Sequence, residues 1–325
     1  MSEPFMRPDV RQFLAYLNAL PGPKMHELPA PAAREIYRAT KDVADLPVGE
    51  LALVRDLTIP GPAGDIPARL FDTKERREPG PVMLFFHGGG FVIGDLDTHA
   101  GFCAEAARML DLPVVSVDYR LAPEHVWPAA PDDCEAAARW VAGSPAALGR
   151  TATSLVLCGD SAGGTLTITT ALDLRDRPAA VPVIAQLPIY PAADMGTDYP
   201  SMAAFGEGHL LTRDSMMWFN DCYAADLTHM RASPMNADLS GLPPAVVMTA
   251  SLDPIRDQGR AYAGALARAG VPVVFREAMG NVHGFINLRQ ALPSSQGDVA
   301  GFLLAAKSVI AEAEANRVMA QAAGA

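Results

Sequence analysis

From Leu51 onward, short apolar runs alternate with segments of helical periodicity. "LALVRDLTI" and "IPARLF" flank the Gly/Pro cluster "PGPAGD" and predict an antiparallel hairpin. Six further runs follow: "VMLFF", "VVSVDY", "SLVLCG", "VIAQLPIY", "AVVMTAS" and "VPVVF". They are short, β-branched and apolar on both faces, as in strands buried inside a parallel sheet. Apolar residues at helical spacing lie between most of them, in "HAGFCAEAARML", "DDCEAAARWVA", "SAGGTLTITTALDLRD" and "RDQGRAYAGALARAG", where Gly270 is a stop signal. This alternation predicts an α/β fold with about eight mostly parallel strands, the first pair antiparallel, and helices on both faces.

Two stretches break the rhythm. Residues 1–45 are Pro-rich and helical, and residues 192–240 fall between two strands and are rich in Met and aromatics. An excursion of that length inside a compact domain is usually a lid or binding segment. Residues 46–325, interrupted by the excursion, form the main domain.

"LVLCGDSAGGTLTI" reads as strand, sharp turn, helix, and contains Gly159-Asp160-Ser161-Ala162-Gly163. This is the G-x-S-x-G pattern of a nucleophile elbow. Side chains two residues either side of the serine would clash in so tight a turn, so glycine is required there. The helix that follows aims its N-terminal N–H groups at the reacting site. Ser161 is therefore the predicted nucleophile.

A serine needs a base, and the base needs a group to orient it. Of seven histidines, His283 in "GNVHGF" follows the last predicted strand, where a loop reaches the sheet's C-terminal edge. The order Ser, acid, His places the acid between Ser161 and His283. Asp253 in "TASLDPIRDQG" lies just past a strand. It is also a natural N-cap, with Pro254 as the first helical residue. Asp257 competes from one turn into that helix, beside Arg256 and Arg260, and Asp160 adjoins the nucleophile. Position favours Asp253.

Another predicted strand ends in "LFFHGGGFVIG", where His87 opens a run of three glycines. Such a run costs backbone entropy, so something must require bare backbone. No Gly-Lys-Ser/Thr follows, which excludes a phosphate-binding loop, and no H-E-x-x-H is present, which counts against a metalloenzyme.

Composition narrows the classes. Length alone would allow two domains, but a single capped α/β domain reaches 325 residues. Half the residues are hydrophobic and 19% are charged, enough for a large core. A formal net charge of -11 argues against nucleic acid and anionic membrane partners. There is no basic n-region followed by a long apolar run at the N-terminus, and no run of about 18 apolar residues. Cys103, Cys134, Cys158 and Cys222 form no CxxC pair. The expectation is a cytoplasmic protein with buried free thiols.

Ser161, Asp253 and His283, together with His87-Gly88-Gly89-Gly90, resemble the bacterial branch of the hormone-sensitive-lipase family of α/β-hydrolase esterases. "FFHGGGFVIGD", "VVSVDYRLAPEH", "GDSAGG", "DPIRDQG" and "VHGF" occur in the family's order, and "EGHLLTRDSMMWF" resembles its cap segment. The resemblance implies a carboxylester hydrolase without a cofactor or metal. It also implies a cap made from the two stretches that break the rhythm, and a possible homodimer through the last strand. Carried over, the N–H groups of Gly88, Gly89 and Ala162 face the oxyanion. His87 props the loop, and Asp118, Arg120 and Glu124 form a structural polar network.

Pocket candidates are Phe91, Val92, Phe205, Leu210, Trp218, Ile255 and Phe285, although aromatics at helical spacing are often plain core. An apolar, partly covered pocket suits a small-molecule ester of short to medium chain. The competing classes are an amidase or deacetylase of the same fold, and a non-catalytic small-molecule receptor. Receptor relatives lose a triad member, and this chain retains all three.

Overall fold

The computed structural model describes residues 4–324. Eight strands form one sheet: β1 (Leu53–Gly61), β2 (Gly64–Asp72), β3 (Gly80–Phe86), β4 (Val114–Val117), β5 (Ala152–Asp160), β6 (Val183–Ile189), β7 (Ala245–Leu252) and β8 (Val273–Val282). Their order is β1-β2-β4-β3-β5-β6-β7-β8. Strand β2 runs antiparallel to both neighbours, and the remaining pairs are parallel.

The two-sided apolar runs explain the layering. Along β3, Val82, Leu84 and Phe86 point into one core with α5 (Ala129–Ala142), α6 (Ala162–Asp176) and α9 (Arg256–Arg268). Met83 and Phe85 point into the other, with α4 (Ala100–Leu110) and α10 (Ser295–Gly324). Every residue of β7 is buried. Truncating a side chain so enclosed, as in Phe85→Ala, costs about 3–5 kcal/mol.

The last strand is longer than its apolar run suggests. "VPVVF" predicts a strand ending near Phe275, yet β8 continues through "REAMGNV". It is an edge strand, so one side pairs with β7 while Val274, Phe275, Arg276 and Met279 stay exposed, and such a strand tolerates charge. Helix α9 starts at Arg256, not at Pro254. The amide of Ile255 donates to Asp253 Oδ1 at 2.8 Å, which makes Asp253 the head of a turn before the helix rather than its N-cap.

The N-terminal stretch forms α1 (Pro8–Ala19), α2 (Ala30–Ala39) and α3 (Lys41–Ala44). The excursion between β6 and β7 carries α7 (Pro200–Phe205) and α8 (Arg213–Tyr223). The two stretches share a small apolar cluster in which Val10 and Leu14 meet Phe205, Leu252, Val282 and Leu292. Buried Arg289 grips Asp45 with both arms at 2.7 and 2.8 Å, and Arg7 does the same to Asp298 at 2.6 and 2.9 Å. No helix among the described residues is long and apolar enough to cross a membrane.

Strand order reverses direction about β3, whose neighbours are β4 and β5. Open α/β sheets bind ligands outside the carboxyl ends of strands at such a switch point. The residues that leave β3 and β5 here are the glycine run and Ser161.

Candidate active site

Ser161 sits between β5 and α6 at φ 54, ψ -118, a conformation that strains a non-glycine residue by about 1–3 kcal/mol. The surroundings enforce it. Its N–H donates to Ile189 O at 2.9 Å, and its carbonyl accepts from Thr165 at 3.1 Å. A side chain on Gly163 would overlap the carbonyl of Phe86, and one on Gly159 would overlap Gly163. The sharp corner lifts the Ser161 hydroxyl clear of the sheet, half-buried while the strand below is enclosed.

His283 follows β8 directly. Its Nδ1 lies 2.7 Å from Asp253 Oδ2, and its Nε2 lies 2.8 Å from Ser161 Oγ. A carboxylate only accepts, so Nδ1 carries the proton and Nε2 is left to accept from the hydroxyl. Asp253 has no exposed surface. Asp257, the competing acid, instead accepts from Arg256, Arg260 and the Ser201 amide. An imidazole held in one tautomer against a serine can take its proton and return it, the chemistry of nucleophilic acyl transfer.

Asp160 forms a second acid–imidazole pair beneath the first. Its Oδ1 accepts from the Gly88 N–H at 2.7 Å and lies 3.2 Å from His99 Nε2. The Tyr190 hydroxyl donates to Oδ2 at 3.3 Å, and the Tyr190 ring lies 4.5 Å from that of His283. Burial alone would raise the Asp160 pKa, but the charge of His99 and the bonds from His99 and Gly88 outweigh it and hold the carboxyl below its ordinary value.

That bond corrects one expectation. The Gly88 N–H is directed at Asp160, so it does not face a substrate oxygen. A side chain on Gly88 would come within 2.5 Å of the same carboxylate. The Gly89 and Gly90 amides that follow, and that of Ala162, have no acceptor among the described residues.

His87 has no exposed surface and stacks on Tyr119 at 4.3 Å. Its Nδ1 lies 2.7 Å from Gly88 O, and Tyr119 donates to its carbonyl at 2.6 Å. Burial, followed by the charge of His99, pushes its pKa down to about 4. The neutral ring is thus a strut of the glycine loop. The anticipated network of Asp118, Arg120 and Glu124 separates into three. Arg120 grips Asp133, Glu124 pairs with Arg34 of α2, and Asp118 lies 4.0 Å from His87 Nε2 with its pKa raised by burial to about 6.

The pocket candidates divide. Val92 and Phe285 have no exposed surface and belong to the two large cores, so they cannot line a cavity. Phe91 stacks on Tyr223 at 3.8 Å, almost parallel, within one of the large cores. Ile255 is buried, and Phe205 lies in the small cluster under Arg256. Leu210 and Trp218 retain exposed surface, and Leu210 lies 3.9 Å from where a Gly284 side chain would be, next to His283. Phe219, absent from the sequence candidates, covers Gly90 closely enough that any side chain there would overlap its ring. A run of aromatics in a helix does not reveal which one faces inward.

A cleft of about 660 Å³ lies at the opposite end of the sheet, lined by Lys74, Arg77, Pro113 and Arg150 among others. Those three cations are paired with Asp72 or Asp111. Among the described residues no group of three or more His, Cys, Asp or Glu is placed to hold a metal ion.

A strained serine on an α/β sheet, facing an acid-oriented imidazole, defines a serine hydrolase. The family model described as "alpha/beta hydrolase fold" matches residues 83–287. The chain belongs to this family, in its hormone-sensitive-lipase-like branch. It is 40% identical over 267 residues to esterase LipI of Mycobacterium tuberculosis, covering 80% of this chain and 83% of that protein. It is 35% identical to an ethyl acetate hydrolase of Pseudomonas putida, covering 87% and 92%. The solved structure of ester-hydrolase EH1AB1, from the metagenome of Lake Arreo and complexed with a bipyridine phosphonate derivative, superposes with a TM-score of 0.88 at 35% identity, covering 93% of this chain and 98% of that one.

Proposed function

We propose that this protein is a serine carboxylesterase that hydrolyses small carboxylic esters of short to medium chain. The observation that carries this reading is the unbroken line Asp253–His283–Ser161, with links of 2.7 and 2.8 Å. Ser161 attacks the ester carbonyl as His283 Nε2 takes its proton. Asp253 stabilises the imidazolium, which then protonates the departing alcohol. Water, activated by the same imidazole, cleaves the acyl-enzyme. The Gly89, Gly90 and Ala162 amides receive the oxyanion, each worth roughly 10²–10³ in rate. The positive end of α6 adds to them.

The helices of residues 1–45 and the excursion at 192–240 serve as a cap over the site. Four free cysteines, three of them buried, support a reducing cytoplasmic setting. The open edge of β8 exposes Val274, Phe275 and Met279, which supports a homodimer through this strand. Light scattering on the purified protein would report a single-chain mass if the edge stays unpaired.

A p-nitrophenyl ester series from acetate to laurate, run on wild type and Ser161→Ala, tests the activity. We expect the highest kcat/KM among the short and middle chains and none of it in the variant. Equal rates in the two proteins would refute the assignment.

A further inference from the structure

The loop proposed to bind the oxyanion is held by three contacts from outside the sheet. Gly89, Gly90 and Phe91 have φ of 115, 60 and 63, three consecutive residues in the left-handed region. Phe91 pays a steric penalty there, and such a conformation persists only where neighbours over-determine it. Internally, the Val92 and Ile93 amides both close on Gly89 O, at 3.0 and 2.9 Å.

The outside contacts fall on consecutive residues. The Phe219 ring covers Gly90, and Tyr223, one turn further along α8, stacks on Phe91 with centroids 3.8 Å apart and planes 5° from parallel. From α2, Arg34 donates through Nε to Val92 O at 2.7 Å and through Nη2 to Ala122 O at 2.8 Å. Ala122 in turn donates its N–H to Phe91 O at 2.9 Å. Glu124 holds the guanidinium in place from 2.6 and 2.9 Å. Two helices from distant parts of the chain therefore grip residues 90, 91 and 92 in turn.

We propose that α2 and α8 fix the oxyanion loop in its donating conformation, with Arg34 and Tyr223 as positioning residues, so that seating the cap and completing the oxyanion site are one event. Neither residue touches the triad. Each acts through the backbone of the loop, so loosening either one misaims the Gly89 and Gly90 amides while leaving Ser161, His283 and Asp253 in place. The kinetic consequence rests on the esterase reading; the mechanical one does not.

The test compares Arg34→Gln, Tyr223→Ala and Tyr223→Phe with wild type, using p-nitrophenyl butyrate kinetics and hydrogen exchange of the 87–94 segment. Misplacement by an ångström costs about 10²-fold in rate. We expect kcat to fall by about that factor in Tyr223→Ala and about tenfold in Arg34→Gln, with KM changed by less than about threefold. Tyr223→Phe keeps the stacked ring and recovers the lost rate; the hydroxyl it removes has no partner among the described residues. Amides of the 87–94 segment should exchange faster in the two damaging variants while β5 and α6 keep wild-type protection. The proposal is overturned if exchange in this segment is unchanged, or if both variants keep kcat within about twofold of wild type. Should Tyr223→Ala fail to fold, the partly exposed Arg34 decides the question alone. If wild type shows no Ser161-dependent ester hydrolysis, the esterase reading falls and the exchange measurement still decides the coupling.

Discussion

Two buried carboxylates in this molecule each face an imidazole, the two pairs linked through Tyr190, and they do different work. Asp253 gives one oxygen to the His283 ring and the other to the Ile255 amide, and the far nitrogen of His283 meets Ser161. Asp160 gives one oxygen to the Gly88 amide and to His99, and the other to Tyr190, while the far nitrogen of His99 meets Thr98 Oγ1 at 2.9 Å. One pair ends on a nucleophile at the solvent edge. The other ends on a threonine in the interior. The acid–imidazole couple alone is therefore not catalytic; what the second nitrogen faces decides its use.

The contrast can be broken at four points. The largest effect is at the nucleophile, where Ser161→Ala should lower kcat by about 10⁶, measured by ester hydrolysis at saturating substrate. Next, Asp253→Asn keeps the shape but allows the wrong tautomer at His283 and should cost about 10⁴ in kcat. A loss no greater than that of an Asp257→Asn control would transfer the acid's role elsewhere.

The inner pair should matter less and in another way. Asp160→Ala leaves the Gly88 amide without its acceptor and the glycine loop without its tie, for a loss of about 10²-fold. Asp160→Asn retains an acceptor and should keep more of the rate than the alanine variant. Equal losses in the two would mean that the charge, not the tie to the loop, is what counts.

The smallest effect is at His87, and it shrinks on acidification. Its pKa is lowered to about 4 in the folded protein, against an ordinary value near 6.5 in the unfolded chain. Between those values the unfolded state binds more protons, so the stabilisation from neutral His87 is present above about pH 6.5 and is lost as pH falls towards 4. Thermal melts of wild type and His87→Gln should converge across that window, because the variant lacks this titration. Asp118, whose pKa of about 6 runs the opposite way, lies 4.0 Å from the His87 ring, so the comparison is made in an Asp118→Asn background.

Much of the catalytic line was legible because its signals are local or ordered. Five residues between a strand and a helix mark Ser161, and chain order with strand ends marks Asp253 and His283. The Gly88 amide points elsewhere than the sequence suggests, for a physical reason. A sequence shows where glycines stand but not which way their amides point, and here a side chain 72 residues away turns Gly88 aside. The pocket failed similarly. Val92 and Phe285 adjoin catalytic motifs along the chain, yet backbone direction sends both into core. Strand β8 outruns its apolar stretch because an edge strand admits charge on its open face. Arg34 carried no signal at all, since its partners come from loops 58 and 88 positions away.

The clasp between Arg7 and Asp298 spans 291 positions. At ribosomal speeds of about 5–20 residues per second, the first helix waits roughly 15 to 60 seconds for the partner that fastens it. Val10 and Leu14 wait almost as long for Leu252, Val282 and Leu292. A segment made early thus docks late. A nascent chain that stops short of residue 298 can build its whole sheet and still lack the clasp between Arg7 and Asp298.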